Sequence, residues 1–411
     1  MRQSTSVSFD EALKLSLEVA QGILSTEWVN TAEALGRVLG KDVFCQKNLP
    51  SYNNAALDGF AFAYQNSVQT LRIKKRILAG EDSAPCLEEG ECYKIMTGAK
   101  VPSDADTIVP FEGCIAYDDV LVTLPLHIKQ GNALRLKGEE QSTGSLLLSQ
   151  GECIDATTIA ILASQGITHV EVYRKLSIVV LSTGDELKKP WENARENEIY
   201  DVNASALIAL LKENGFEASY GGVVPDNLSM ATSYFSKLKA YDVIVTSGGV
   251  SMGEADFVEQ ALSANGFAPS FHGINIKPGK PTMVGCMEDT LVVSLPGNPL
   301  AAYVNAFLLL IPALRKKQGQ KNHYFEWYRA INAQPLSLKS GRVNLVLGRY
   351  ANGSFTACEN NNYGSGMITP LLKSNAILVS SEQTDSIHVG SDVNILLFKP
   401  IFSNVIELLK K

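Results

Sequence analysis

The sequence predicts a multidomain α/β protein with a central doubly wound, mostly parallel α/β domain, a helical N-terminal region, a β-rich insert domain and a C-terminal β-barrel-like domain. Three observations predict this class. The chain has 411 residues, which is more than one ordinary core accommodates. Strand and helix patterns alternate between residues 176 and 317, as they do in parallel sheets. Short strand-like runs separated by turn residues lie on both sides of that region. The predicted domains are 1–40 with 143–175 (helical and linking), 41–142 (insert), 176–322 (α/β) and 323–411 (C-terminal).

The first part of the chain predicts a helix followed by short strands. Ser8 and Glu11 have the spacing of a capping box, and Leu13 and Leu17 follow at helical spacing. From about residue 40 to 150, runs such as "LRIKKRI", "DTIVPFE" and "VLVTL" alternate with turns rich in Gly, Pro and Asp, which is typical of short strands. A second helix is predicted between Asp155 and Gly166.

The α/β region predicts strands that are covered on both faces. "LSIVVLST", "EASYGGVV", "YDVIVTSGG", "SFHGINI" and "TLVVSL" are strand-like, and helices are predicted over "VNASALIALLKENG", "NLSMATSYFSKL", 255–265 and about 299–317. The tail returns to short β runs, "VNLVLGRY", "AILVSSE" and "VNILLF".

Composition and charge exclude several classes of protein. The chain is 45% hydrophobic and 19% charged, as globular proteins are. Its net charge of −7 and the absence of a Lys/Arg stripe argue against nucleic-acid binding. No apolar run approaches the roughly 20 residues that a membrane span needs, and the N-terminus lacks the features of a signal peptide. Seven scattered cysteines without a C-x-x-C pair predict reduced thiols in the cytoplasm and disfavour a zinc site.

Polar clusters follow the predicted strands at the places where α/β proteins bind ligands. They are "STGDEL" (182–187), "TSGGVSMGEAD" (246–256) and "SLPGNP" (294–299), with the loop "NIKPGKP" (275–281) just upstream of the last. Each segment alone is as well explained by an ordinary turn or helix start. Because the carboxyl ends of parallel strands share one edge of a sheet, we expect the segments to meet there.

The residue types in these segments favour an anion site with a divalent cation. Gly248 and Gly249 can bring backbone N–H groups close to an oxyanion, and Ser247 can add a hydroxyl donor. Lys277 and Lys280 place two ammonium groups on a short loop of an acidic protein. Nearby carboxylates are the usual ligands of Mg²⁺ beside phosphates. They are Asp185, Glu186, Asp226 and Asp256. The "GGVSMG" run matches neither the Walker A loop nor the G-x-G-x-x-G fingerprint.

Taken together, these segments resemble the molybdopterin molybdenumtransferase family, to which the E domain of gephyrin also belongs. The matching stretches run through nearly the whole chain: "SYNNAALDGFAF" (51–62), "IMTGAKVPSDADTIVPFE" (95–112), "LRLKGEE" (134–140), "VVLSTGDEL", "VTSGGVSMGEADF", "IKPGKPTMVG" (276–285) and "SLPGNP". The chain departs from the family pattern at "AALDGF", at Glu140 and at Ala301, none of which removes a charged site residue.

The resemblance implies a reaction. Adenylylated molybdopterin binds, molybdate enters at its dithiolene, and Mg²⁺-dependent cleavage of the pyrophosphate bond releases AMP and molybdenum cofactor. It also implies a homodimer with sites at the subunit interface, and contact with the molybdopterin adenylyltransferase and with molybdoenzyme-maturation partners. Two alternatives stay open: a related adenylyltransferase or nucleotide pyrophosphatase, and a gephyrin-like scaffold.

The resemblance also implies site residues. The catalytic residues would be Asp256, Ser251, Asp58 and Glu186, with Asp256 and Glu186 as ligands of Mg²⁺. Substrate would be bound by Thr97, Asp185, Asp226, Ser247, Gly248, Gly249, Pro296, Gly297 and Asn298. Molybdate would be bound by Lys277, Lys280, Pro281, Arg342 and Ser365.

Overall fold

The computed structural model describes residues 6–21, 25–66, 69–81, 84–250 and 257–400. Within these ranges, no helix has the length and apolar character needed to cross a membrane. Two residues predicted to be catalytic, Ser251 and Asp256, lie outside the described residues.

In the part of the N-terminal half that the structure describes, short strands are accompanied by two α-helices. In chain order its elements are α1 (Phe9–Val19), β1 (Thr26–Asn30), β2 (Val43–Phe44), β3 (Asn54–Ala55), β4 (Gly59–Phe62), β5 (Thr70–Ile77), β6 (Glu91–Ile95), β7 (Thr107–Pro110), β8 (Ala116–Tyr117), β9 (Leu121–Thr123), β10 (Leu134–Arg135), β11 (Leu146–Leu148), α2 (Ala156–Ser164) and β12 (His169–Tyr173). The ribbons β1–β12 and β2–β11 are antiparallel, so the chain leaves for the insert through β2 and returns through β11.

Helix α1 has the predicted cap but packs against the α/β domain. The Ser8 hydroxyl accepts a hydrogen bond from the Glu11 N–H at 3.2 Å, and Phe9 and Ala12 are buried in the core shared with that domain. The N–H of Val7 donates to the Gly273 carbonyl at 3.0 Å. The residue two positions before α1, Val7, therefore lies beside the loop that carries the lysine pair, although its sequence position groups it with the linking domain.

The insert is built on a six-stranded sheet of order β7-β4-β6-β5-β9-β8. All four residues of β4 are buried, because this strand separates two small cores. Ala61 faces one core, and Phe60 and Phe62 face the other. The period of two along a short strand thus gives this domain an apolar layer on each face of its sheet.

The α/β domain is a six-stranded sheet of order β16-β13-β17-β21-β20-β18 with helices on both faces. Its elements are β13 (Ile178–Thr183), β14 (Leu187–Lys188), β15 (Ile199–Tyr200), α3 (Val202–Glu213), β16 (Ala218–Val224), α4 (Leu228–Ser236), β17 (Val243–Ser247), α5 (Phe257–Ser263), β18 (Phe267–His272), β19 (Ile276–Lys277), β20 (Met283–Met287), β21 (Thr290–Leu295), α6 (Pro299–Asn305), a π-helical stretch (Ala306–Leu310) and α7 (Ile311–Lys317). Strands β16, β13, β17 and β21 are parallel, and β20 and β18 add an antiparallel edge. The predicted doubly wound, mostly parallel domain is confirmed.

The long helix predicted over about 299–317 contains a π-helical stretch. Pro312 has no N–H, and its ring would clash with the carbonyl four residues earlier in a regular helix. The Ile311 N–H accordingly bonds to the Ala306 carbonyl, five residues back. The helix continues with a wider turn at this point.

The C-terminal region forms a closed five-stranded barrel. Its elements are β22 (Tyr328–Asn332), β23 (Leu336–Ser337), β24 (Val343–Ala351), β25 (Ser354–Ala357), α8 (Thr369–Lys373), β26 (Ala376–Val379), β27 (Ser386–Ile387) and β28 (Asp392–Leu397). The pairings β24–β25, β25–β22, β22–β28, β28–β26 and β26–β24 complete the ring. Strand β19 of the α/β domain pairs in parallel with β24, which places Lys277 opposite Asn344.

Candidate active site

The carboxyl ends of the parallel strands meet at one edge of the α/β sheet. Thr183 at the end of β13 is paired with Val224 at the end of β16, and Ser182 is paired with Ser247 of β17. Ser247 is in turn paired with Leu295 at the end of β21. Neighbouring strands lie about 4.8 Å apart, so the loops that follow these four strands emerge side by side.

A network of hydrogen bonds joins the ends of β17 and β21. The Gly248 N–H donates to the Leu295 carbonyl at 3.1 Å, and the Ser247 hydroxyl donates to the Pro296 carbonyl at 3.1 Å. The Asn203 side-chain amide donates to the Ser247 hydroxyl and to the Gly297 carbonyl, both at 2.8 Å. Gly248 has φ +88°, and a Cβ atom there would lie 2.5 Å from the Thr183 hydroxyl oxygen. A glycine is therefore required at this turn.

These bonds change the interpretation of two predicted donors. The Gly248 N–H and the Ser247 hydroxyl proton both donate to carbonyls within the protein, and their predicted roles in substrate binding stay predictions. Their contribution is to fix the shape of the place where β17 and β21 end, residues 247–248 and 295–297, which we call the corner. Asn203, in the first turn of α3, was not identified from the sequence, because an asparagine near a helix start looks like an ordinary capping residue.

Exposed carboxylates surround the corner on the β13–β16 side. Asp185 and Glu186 follow β13, and Asp226 follows β16. The Glu186 side chain folds back over Gly184, where an added Cβ would lie 2.6 Å from its carboxylate oxygen. No group of three or more His, Cys, Asp or Glu side chains in the described part of the chain is arranged to hold a metal ion.

A cavity of about 480 Å³ lies beside the corner, between the α/β domain and the barrel. Strand β19 and the loop after it supply Lys277, Lys280 and Pro281, and the residue just before β24, Arg342, also lines the cavity. The remaining lining residues are Ile276, Pro278, Gly279, Asn298, Leu300, Asn344, Leu345, Val346, Asn361, Tyr363, Gly364 and Ser365. All five predicted molybdate-side residues therefore line one cavity.

The cavity carries positive charge that the described residues do not neutralise. None of Lys277, Lys280 and Arg342 forms an ion pair with an acidic side chain in the described ranges. The chain as a whole has a net charge of −7. Three cations gathered at one concave surface of an acidic protein favour a multiply charged anion as occupant.

Asn298 connects the cavity to the corner. Its side-chain amide donates to the Ser365 hydroxyl at 2.9 Å, and the Leu300 N–H donates to the Ser365 carbonyl at 3.2 Å. The preceding residue, Gly297, approaches Gly248 closely enough that a Cβ atom would lie 3.5 Å from the Gly248 Cα. The loop at 296–298 thus forms part of both the corner and the cavity wall.

Asp58 and Thr97 lie in the insert and do not line this cavity. The Thr97 N–H and hydroxyl both donate to one Asp58 carboxylate oxygen, at 2.6 and 2.7 Å. These two hydrogen bonds, first the hydroxyl and then the amide, lower the pKa of Asp58 below its ordinary value. The exposed Asp58 side chain is therefore an oriented carboxylate at neutral pH.

Fold and site together define a class of protein: an α/β ligand-binding domain whose anion cavity is completed by a β-barrel. The family model for the MoeA N-terminal region (domain I and II) matches residues 7–166, that for a probable molybdopterin binding domain matches 179–316, and that for the MoeA C-terminal region (domain IV) matches 329–398. The chain is 32% identical over 400 residues to the molybdopterin molybdenumtransferase of Haemophilus influenzae, covering 95% of this chain and 98% of that protein. It belongs to the molybdopterin molybdenumtransferase family and is a molybdotransferase of molybdenum cofactor biosynthesis.

Other similar proteins agree with this assignment. Gephyrin of Dictyostelium discoideum is 28% identical over 95% of this chain, which corresponds to 62% of gephyrin. The crystal structure of the molybdopterin biosynthesis MoeA protein from Pyrococcus horikoshii OT3 superposes with a TM-score of 0.82 at 28% identity, covering 96% of this chain and all (100%) of that one.

Proposed function

We propose that the protein inserts molybdate into the dithiolene of adenylylated molybdopterin and cleaves the pyrophosphate bond, releasing AMP and molybdenum cofactor. The observation that carries this proposal is the cavity next to the corner of β17 and β21, whose three cations have no acidic partner among the residues that the structure describes. A dianionic oxyanion fits the cavity, and a nucleotide-linked phosphate fits the adjoining strand ends. Asn298 and the glycine beside it give the two ligands a shared wall.

The cavity would hold molybdate through its cations. Lys277 and Lys280 reach it from one side and Arg342 from the barrel side, so the oxyanion would be gripped by two domains. Ser365, fixed by the amide of Asn298, would add a hydroxyl contact. Charge-assisted hydrogen bonds of this kind contribute about 1.5–3 kcal/mol each.

The acidic rim fits a magnesium ion by the chemistry of its donors. Carboxylate oxygens are the ligands that Mg²⁺ prefers, and the exposed Glu186 carboxylate has no hydrogen-bond partner among the described residues. Glu186 and Asp256 would hold the ion, while Asp185 and Asp226 would line the pterin and phosphate side. Bound Mg²⁺ would neutralise charge on the pyrophosphate as it is cleaved. Asp256 and Ser251 would act next to that bond.

The active unit would be a homodimer in which the insert of one subunit completes the site of the other. The support is that Asp58 is oriented by Thr97 but lies away from the cavity of its own chain. The protein would work in the cytoplasm, receiving its substrate from the molybdopterin adenylyltransferase and delivering cofactor to molybdoenzyme-maturation partners.

A single assay tests the reaction. Purified protein is incubated with adenylylated molybdopterin, Mg²⁺ and molybdate, and AMP release is followed. We expect release that depends on molybdate. Release without molybdate would favour a nucleotide pyrophosphatase, adenylyl transfer from ATP to molybdopterin would favour the adenylyltransferase, and no reaction at all would favour a scaffold.

Complementation tests the shared site. Asp58→Asn changes the part of the proposed site that comes from the insert, and Lys277→Met changes the part that comes from the cavity. In an equal mixture, half of the dimers contain one subunit of each kind, and each mixed dimer has one site free of both changes. We therefore expect about a quarter of wild-type activity after the two variants are unfolded and refolded together. Activity no greater than that of the separate variants would place Asp58 in the site of its own chain.

A further inference from the structure

A buried asparagine in α6 is bonded directly to the loop that carries the lysine pair. Asn305 has no exposed surface, and its side-chain amide donates to the Gly279 carbonyl at 2.8 Å and to the Thr282 hydroxyl at 2.6 Å. The Thr282 hydroxyl in turn donates to the same Gly279 carbonyl at 3.0 Å. The Asn305 amide and the Thr282 hydroxyl therefore both donate to the Gly279 carbonyl, which lies between Lys277 and Lys280 in the chain.

The fit around this amide is close. Gly279 has φ +104°, and a Cβ atom there would lie 2.3 Å from the amide nitrogen and 2.6 Å from the amide oxygen of Asn305. The amide oxygen is buried and has no hydrogen-bond partner in the described part of the chain. An unpaired buried acceptor lowers the stability of the folded protein. Asn305 therefore lowers the stability of the fold at this position. If its role were only structural, an apolar residue of similar size would avoid that cost.

Helix α6 relates this contact to the other wall of the cavity. Asn298 is the N-cap of α6 and Asn305 is its last residue, so they stand at opposite ends of one short helix, about 10 Å apart along its axis. Asn298 fixes Ser365 of the barrel region, and Asn305 fixes the lysine loop. The length of α6 thus separates the two asparagines that hold these groups of the cavity wall.

We infer that Asn305 is a positioning residue for anion binding: it holds the Gly279 turn so that the ammonium groups of Lys277 and Lys280 converge on one oxyanion. Asn305 does not line the cavity and would act on the anion only through this loop. The inference rests on the proposed function for the identity of the anion, molybdate. Its geometric basis, a buried amide bonded to the lysine loop, does not depend on the reaction.

The test compares two buried asparagines in the same domain. Asn305→Asp keeps the shape but removes both amide donors and places a carboxylate against the Gly279 carbonyl. Asn265→Asp is the matched control, because the Asn265 amide also donates two hydrogen bonds, to the Thr232 and Ala261 carbonyls at 2.9 and 2.8 Å, and is 8% exposed. Equilibrium binding of molybdate alone is measured by calorimetry, together with the KM for molybdate, kcat and the thermal unfolding midpoint.

We expect Asn305→Asp to weaken molybdate binding and raise its KM by about tenfold or more, with kcat changed by less than about threefold. Asn265→Asp should lower the unfolding midpoint and leave molybdate affinity unchanged. Equal affinity in Asn305→Asp and wild type, or an equal loss in both variants, would overturn the inference. If Asn305→Asp does not fold, Thr282→Val removes the bridging hydroxyl and should weaken binding in the same direction. The absence of molybdate-dependent AMP release by wild type would refute the proposed reaction, whereas the binding measurement would still decide the role of Asn305.

Discussion

Replacing one lysine of the cavity is expected to weaken the use of molybdate by a predictable amount. Lys277→Met removes the ammonium charge and keeps most of the apolar stem. A cavity of about 480 Å³ has the volume of a sphere of roughly 5 Å radius, which sets the separation of the lysine and a central anion. At that distance and an effective dielectric constant near 20, one pair of unit charges interacts by about 3 kcal/mol.

Solvent reduces this figure because both Lys277 and Lys280 are exposed. We therefore expect a net loss of about 1–2 kcal/mol, which corresponds to an increase of about 5–30-fold in the KM for molybdate. The increase should be larger at low ionic strength, since the Debye length is about 10 Å at 0.1 M salt.

The assay is molybdate-dependent AMP release at fixed substrate and Mg²⁺, repeated at two salt concentrations. Lys237→Met is the control because it changes the net charge by the same amount. Lys237 is exposed and caps the C-terminus of α4, on the side of the sheet where the parallel strands begin. An unchanged KM in Lys277→Met would refute the cation cavity. An equal increase in both variants would show a general charge effect instead of a local one.

Three further predictions concern the corner and the insert. Gly248→Ala would place a methyl group against the Thr183 hydroxyl at a residue with positive φ. We expect denaturant unfolding to show a free energy of unfolding lower by about 2–4 kcal/mol, and the KM for substrate to rise. Wild-type values of both would contradict the close packing at Gly248. Thr97→Val removes the hydroxyl hydrogen bond, which lowers the pKa of Asp58 more than the Thr97 N–H does. NMR titration should therefore show the pKa of Asp58 rising toward its ordinary value in Thr97→Val, whereas Thr97→Ser should keep it low. Lys74, the Glu88 N–H and Arg72 lower the pKa of Glu91 from 4.5 to about 2. The ionised Glu91 side chain therefore contributes its full stabilisation above pH 4.5 and loses it as the pH falls toward about 2. Glu91→Gln should reduce the loss of stability between these pH values, and an unchanged loss would exclude this contribution of Glu91.

The sequence was sufficient for the parallel part of the fold because buried strands leave a simple pattern. Continuous apolar runs such as that of β13 are typical of strands covered on both faces, and the side chains of Val179 and Val180 do face different cores. The antiparallel edge was not predicted in full. Strand β20 is short and contains Gly285, and it turns into β21 through Glu288 at φ +56°, a residue type that gives no turn signal.

The polar contacts that shape the site could be predicted only in part. The lysines, Arg342 and Ser365 occur in recognisable segments, and they do line one cavity, although their roles stay predictions. Asn203 and Asn305 could not be recognised, because each lies in a helix and looks like an ordinary helical or capping residue. The partners of Asn203 are 44 and 94 positions away in the chain, so that only the folded arrangement reveals its role.

The seam between the α/β domain and the barrel has a mechanical consequence. On one side it is closed by the two-residue pairing of β19 with β24, and near α6 by the hydrogen bond between Asn298 and Ser365. An oxyanion seated among cations from both domains would act as a removable cross-link between them. Because coupling free energies are reciprocal, a tilt of the barrel that weakens oxyanion binding is opposed by the bound oxyanion to the same degree. Binding of the oxyanion would therefore also restrict the motion of the barrel relative to the α/β domain.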